Sequence, residues 1–230
     1  MSTPLPAPAP SGRRPPRHAP LLTGLALTRI IGWGTTYWVP SVLVFDLHRD
    51  IGLSPAVIFG GVTVLLVIGA LIAPALGRHF DMRGTRRSMS VGAVICALGL
   101  AALAASQGPV SYLASWMVIG IGHAMTLANV GNVTIAQLMG DKTRRVIGLM
   151  MVVGGLSSSI FWPVATLLTE AFGWRMALLT FAGMHLFIVL PIHLFIPRYR
   201  SAPARQGTDS PPAPDAGRVP PADRRAVFWL

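Results

Sequence analysis

The run PAVIFGGVTVLLVIGALIAPAL, Pro55–Leu76, holds no charged residue from end to end. A helix needs roughly 20 consecutive apolar residues to cross the hydrocarbon of a bilayer, and this run supplies them. Ser54 is placed to cap it and Pro55 to occupy its first position, where a missing N–H costs nothing. The whole chain agrees: of 230 residues, 52% are apolar and only 12% charged, against about 25% charged in soluble domains. Charge is scarce because most of the surface faces lipid.

Working outward, five more stretches have the same character: Leu21–Phe45, Ser88–Ser106, Tyr112–Met139, Val146–Leu168 and Trp174–Ile196. Continuous apolar runs of this length are helical in bilayers, so the predicted fold is all-α, a polytopic transmembrane bundle of six spans over residues 21–196. Short loops make neighbouring spans antiparallel. Residues 1–20, with seven prolines and Arg13, Arg14 and Arg17, read as a disordered tail with no apolar core of a cleavable signal. Residues 197–230 read as a polar linker that ends in Arg224-Arg225-Ala-Val-Phe-Trp-Leu, the start of a truncated seventh span.

The net charge is +11. No basic stretch is large enough to form a nucleic-acid reader, and the arginines and lysines instead sort by side. Sixteen fall in the N-terminal tail, the second and fourth loops and the C-terminal tail; only Arg49 and Arg175 fall opposite, and Arg29 lies within a span. This asymmetry places both termini in the cytoplasm. Cys96, the single cysteine, excludes an intrachain disulfide and any cysteine metal cluster.

The second loop reads Gly77-Arg-His-Phe-Asp81-Met-Arg83-Gly84-Thr-Arg86-Arg87. Gly84 suits a tight turn, Asp81 can accept from helix-end amides or pair with an arginine, and Arg86 and Arg87 suit the anionic lipid face. The order Gly77, Asp81, Gly84 and basic residues resembles the cytoplasmic signature of the major facilitator superfamily, although Met82 and Thr85 stand where that family usually has basic residues. The loop before the last span repeats the acid-x-x-Gly-x-Arg spacing as Glu170, Gly173 and Arg175, as expected if spans one to three and four to six are inverted repeats. The resemblance implies the N-terminal six-helix half of a secondary transporter that moves a small solute by alternating access, in a bacterial plasma membrane, with a second half or a second copy as partner. A truncated half without activity of its own, or a membrane scaffold, are the competing expectations.

Arg29 is the charge to explain. Inside the bilayer it costs about 2.5–3.5 kcal/mol on insertion scales. Trp33 and Tyr37 follow on the same helical face. A cation with an aromatic ladder suits an anionic or amphipathic solute in a water-filled cavity; an arginine that snorkels, or that pairs with a carbonyl or a partner helix, is the alternative. Asn129 and Asn132 continue a polar stripe in the fourth span, for solute contact or for helix packing. The expected solute-binding set is thus Arg29, Trp33, Tyr37, Asn129 and Asn132. His123 and His185 lie mid-span, either as hydrogen-bonded structural residues or as groups that carry a coupling proton. Pro163 is expected to kink the fifth span. An enzyme is not expected: a Gly-x-Ser-Gly nucleophile loop, a His-Glu-x-x-His motif and a phosphate-cradling loop are all missing, so no cofactor, metal or ATP is called for.

Overall fold

A backbone in hydrocarbon has only itself to satisfy its N–H and C=O groups, and helices form wherever the sequence is continuously apolar. The computed structural model describes residues 19–83, 85–139 and 143–196, without the side chains of residues 19, 81–83, 128–129 and 137–139. Both expected tails, save Ala19 and Pro20, lie outside the described residues. The helices are α1 (Ala19–Thr36), α2 (Val39–Ile51), α3 (Pro55–Arg83), α4 (Thr85–Ala104), α5 (Pro109–Thr126), α6 (Ala128–Met139), α7 (Thr143–Met184) and α8 (Leu190–Leu194). No strand occurs among the described residues.

The fold is therefore an all-α helical bundle, and its helices differ from the predicted spans in instructive ways. The first predicted span is interrupted at Tyr37–Trp38, between α1 and α2. Pro40 has no N–H to offer the carbonyl of Thr36 and takes its place in the first turn of α2. The predicted span Tyr112–Met139 is likewise interrupted, at Leu127, whose φ of −103° and ψ of −125° leave the helical region. Just before it the Thr126 hydroxyl donates back to Gly122 O at 2.9 Å, a bond that bends helices. Two predicted spans run together as α7, and the departure from helical geometry lies at Gly173, with φ 79° and ψ 159°, a conformation that only glycine adopts without strain. Pro163, expected to kink the fifth span, sits inside α7. After α7, a wider turn of π type over His185–Val189 precedes Pro191. The Leu190 N–H reaches back to His185 O, which accommodates a proline that cannot bond to Phe187 O.

Four stretches among the described residues are long and apolar enough to cross a membrane: Pro55–Phe80, Thr85–Ala104, Pro109–Ala136 and Thr143–Leu194. The last has 52 residues and contains the bend at Gly173. Helix α1 is not among them, since Arg29 and a run of glycine and threonine dilute its apolar character.

The core joins α2 to α5 with α7. Tyr112 and Trp116 of α5 are fully enclosed, and the Tyr112 hydroxyl donates to Ile58 O of α3 at 2.9 Å. Between α4 and α5, a side chain at Gly122 would collide with the backbone and thiol of Cys96. Such close approach matters because lipid tails are as apolar as leucine, so packing rather than water exclusion holds membrane helices together. The outer faces carry large apolar residues, with Phe187 80% and Phe45 82% exposed. A soluble protein does not present such a surface; lipid covers it in an integral membrane protein.

Candidate solute-binding site

Helix α1 lies between α5 and α7 and brings its polar residues against both. Arg29 is half-buried, and its Nη1 donates to Asn132 Oδ1 of α6 at 3.3 Å. Its Nε is sealed from water and has no hydrogen-bond partner. That nitrogen faces Gly154 of α7, where an added methyl would stand 3.1 Å from it. Among the described residues no carboxylate pairs with Arg29; the ion pairs present involve Arg49 and Arg175 only. Beside the guanidinium lies a small cavity, lined also by Leu25, Met89, Thr126, Leu127 and Met150, with about 20 Å³ of space for water centres, room for roughly one water.

One turn on, Trp33 meets Tyr37 edge to face with ring centroids 5.3 Å apart, and meets His123 of α5 at 5.2 Å. Both aromatic residues are half-buried. Arg29 and Trp33 of α1 and Tyr37, in the turn just after it, follow one another at four-residue spacing, and with Asn132 of α6 they make one strip. Asn129 stands in the first turn of α6, and its side chain lies outside the described residues.

Sequence reasoning passed over the roles of the two threonines next to this strip. Adjacent positions on a helix point about 100° apart, so Thr35 and Thr36 reach two different neighbours. The Thr36 hydroxyl lies 3.0 Å from His123 Nδ1, and the Thr35 hydroxyl lies 2.9 Å from His185 Nε2. Each also donates back along α1, Thr35 to Ile31 O at 2.7 Å and Thr36 to Gly32 O at 2.6 Å. A hydroxyl has one proton, so the histidines are the donors in both pairs. His123 and His185 therefore tie α1 to α5 and to the π turn. A third histidine, His193, was not singled out; its Nδ1 donates to Met89 O of α4 at 3.0 Å. Nearby, Trp38 Nε1 donates to Ser157 Oγ of α7 at 3.2 Å.

A second polar cluster sits at the far end of α2. Trp174 Nε1 donates to Asp50 Oδ2 at 2.8 Å, and Arg49 Nε to Asp50 Oδ1 at 3.2 Å. Arg175 stacks over the Trp174 ring at 4.1 Å and stands 3.9 Å from the same carboxylate. The Trp174 hydrogen bond, then Arg49, hold the Asp50 carboxyl below its ordinary range, against an opposing effect of desolvation. The arginine of the acid-x-x-Gly-x-Arg repeat thus finds its carboxylate on α2.

The loop motif is only partly open to description. Gly77 lies within α3 with free space around it, Arg86 is half-buried in the first turn of α4, and Arg87 is exposed. The side chain of Asp81 and all of Gly84 lie outside the described residues.

Comparison with known proteins agrees with the helical membrane bundle. The family model described as Major Facilitator Superfamily matches residues 21–229. The chain belongs to the major facilitator superfamily, a family of membrane transporters for small solutes. A curated relative, an uncharacterized 38 kDa protein in 23S RNA operon of Thermoproteus tenax, is 25% identical over 182 residues. The match covers 79% of this chain and 47% of the relative, so the chain spans about half of that relative's length.

Proposed function

We propose that this chain takes part in secondary active transport of a small organic anion by alternating access, with Arg29, Trp33, Tyr37, Asn129 and Asn132 as the solute-contacting residues. The observation that carries this reading is the Arg29 guanidinium. It is half-buried, held on one arm by a neutral amide, and faces no described carboxylate. A buried donor without a partner costs about 1–3 kcal/mol, and an anionic solute reached through a shift of α7 from Gly154 would relieve that cost.

The same reading takes the bundle as six crossings in two inverted three-helix repeats. The stretch Leu21–Phe45, interrupted between α1 and α2, is then one crossing, with Arg49 and Asp50 beyond its end, and α7 with α8 is two crossings that turn at Gly173. Both termini lie on the cytoplasmic side of a bacterial plasma membrane, and Gly77, Asp81, Gly84, Arg86 and Arg87 form a cytoplasmic turn that moves with the conformational cycle. His123 and His185, each bonded to α1 next to the solute strip, are the groups we assign to a coupling proton. The match to half of a relative's length favours a second version of this reading. In that version the bundle is one half of the pathway and needs a second six-helix half or a second copy to carry flux.

The test is uptake into liposomes by the purified full chain, alone and beside an intact homologous transporter, over a panel of anions, amines and sugars. Arg29→Ala, made in whichever protein carries flux, is expected to abolish uptake of the anion and leave membrane insertion unchanged. Undiminished uptake would remove Arg29 from the pathway.

A further inference from the structure

His123 is fixed as one tautomer by a chain of donors. The Thr36 proton is spent on Gly32 O, so Thr36 Oγ1 accepts from His123 Nδ1–H. In a neutral imidazole the other nitrogen, Nε2, is then a lone-pair acceptor. Among the described residues it has no donor to accept from. The ring is 9% exposed and lies against Trp33, midway along the aromatic strip that Arg29 begins. His185 differs in one respect: its free nitrogen, Nδ1, is sealed from water altogether. Thr36 lies seven residues beyond Arg29 on α1, about 10 Å along a helix.

We propose that His123 is a further solute-contacting residue, whose Nε2 accepts a hydrogen bond from the solute. The solute is then an organic anion that carries a hydroxyl or N–H donor at the end away from its charge, with an apolar or aromatic body between the two to lie along Trp33 and Tyr37. This rests on the reading of the α1–α6 strip as the solute site. The geometry divides the work. Arg29 anchors the charge, the indole covers the middle, and His123 selects for the distal donor. Thr36 is a positioning residue, since it acts only through the ring.

The test uses the purified full chain in detergent and two probes that differ by one hydroxyl, 4-hydroxyphenylacetate and phenylacetate, titrated by ligand-induced change in melting temperature. Wild type is expected to bind the hydroxylated probe about tenfold more tightly, the usual consequence of leaving a buried acceptor unpaired. His123→Leu should bring the two affinities to within about twofold of each other while leaving phenylacetate binding as it was, a pattern that loss of fold does not produce. Thr36→Ala, which keeps the ring but frees its Nδ1–H, should weaken the preference without abolishing binding. Equal affinity of wild type for the two probes, no binding of either at millimolar concentration, or a preference that survives both substitutions would overturn the proposal. Arg29→Gln separates this from the underlying reading. If it leaves the binding of both probes unchanged, the strip itself is not the site.

Discussion

Helix α1 approaches α7 so closely at Gly34 that a single methyl group there should be felt by the whole bundle. A Cβ on Gly34 would overlap Cγ and Cδ2 of the Phe161 ring and come to 2.7 Å from its Cβ. Phe161 has little room to yield, being 5% exposed and packed edge to face on Phe181 at 5.9 Å. Over-packing of this kind costs about 1–3 kcal/mol. For a domain of this size each kcal/mol is worth roughly 2–4 °C, so Gly34→Ala should lower the melting temperature in detergent by about 2–12 °C. Gly60 of α3 is the control, because a methyl group there meets nothing within 4 Å, and Gly60→Ala should melt with or slightly above wild type. Phe161→Ala supplies the decisive comparison. On its own it removes an enclosed ring and destabilises; combined with Gly34→Ala it makes room for the new methyl, so the two effects must fall short of their sum. If Gly34→Ala melts with wild type, or if its effect is the same with and without Phe161, the α1–α7 packing described here is wrong.

Two further outcomes follow from the ends of the bundle. The Asp50 carboxyl is held below its ordinary range, chiefly by the Trp174 N–H, so its contribution to stability is complete above the pKa of a free carboxylate, about 4, and fades as pH falls through the lowered value. Asp50→Asn should therefore melt below wild type at neutral pH and converge with it in acid; a difference that grows in acid would contradict the sign of the shift. For orientation, Cys96 is buried and is the only cysteine, which gives a silent background for labelling. A membrane-impermeant maleimide added to intact cells should modify Gln107→Cys and reach Arg87→Cys only after permeabilisation. The reverse pattern would invert the proposed topology.

The helical membrane bundle was legible in the sequence because uncharged runs such as Pro55–Leu76 leave no alternative to helix in lipid. Helix boundaries were less so. Pro40 carries a visible reason for the break between α1 and α2, but its effect was lost within a long apolar window. Between the fifth and sixth spans a loop was expected, whereas the helix runs through with a single departure at Gly173. The alignment of Arg29, Trp33 and Tyr37 was readable from the period of 3.6 and from the cost of a charge in hydrocarbon, while Asn132, on another helix, joined them only through the family resemblance. The partners of Thr35, Thr36 and Asp50 were not. His123 lies 87 residues from Thr36, and Trp174 lies 124 from Asp50. Periodicity orders residues on one helix and carries no information about which helix will stand opposite.

The interruption at Leu127 has a counterpart across the groove. The leucine side chain seats against Gly32 of α1, where any Cβ would collide with it. One position is an empty socket and the other is its plug. During evolutionary drift the two sites are free to change only as a couple, a larger residue at 32 demanding a smaller one at 127. Kinship among these sequences should therefore be marked by covariation of that pair, even where overall identity has faded.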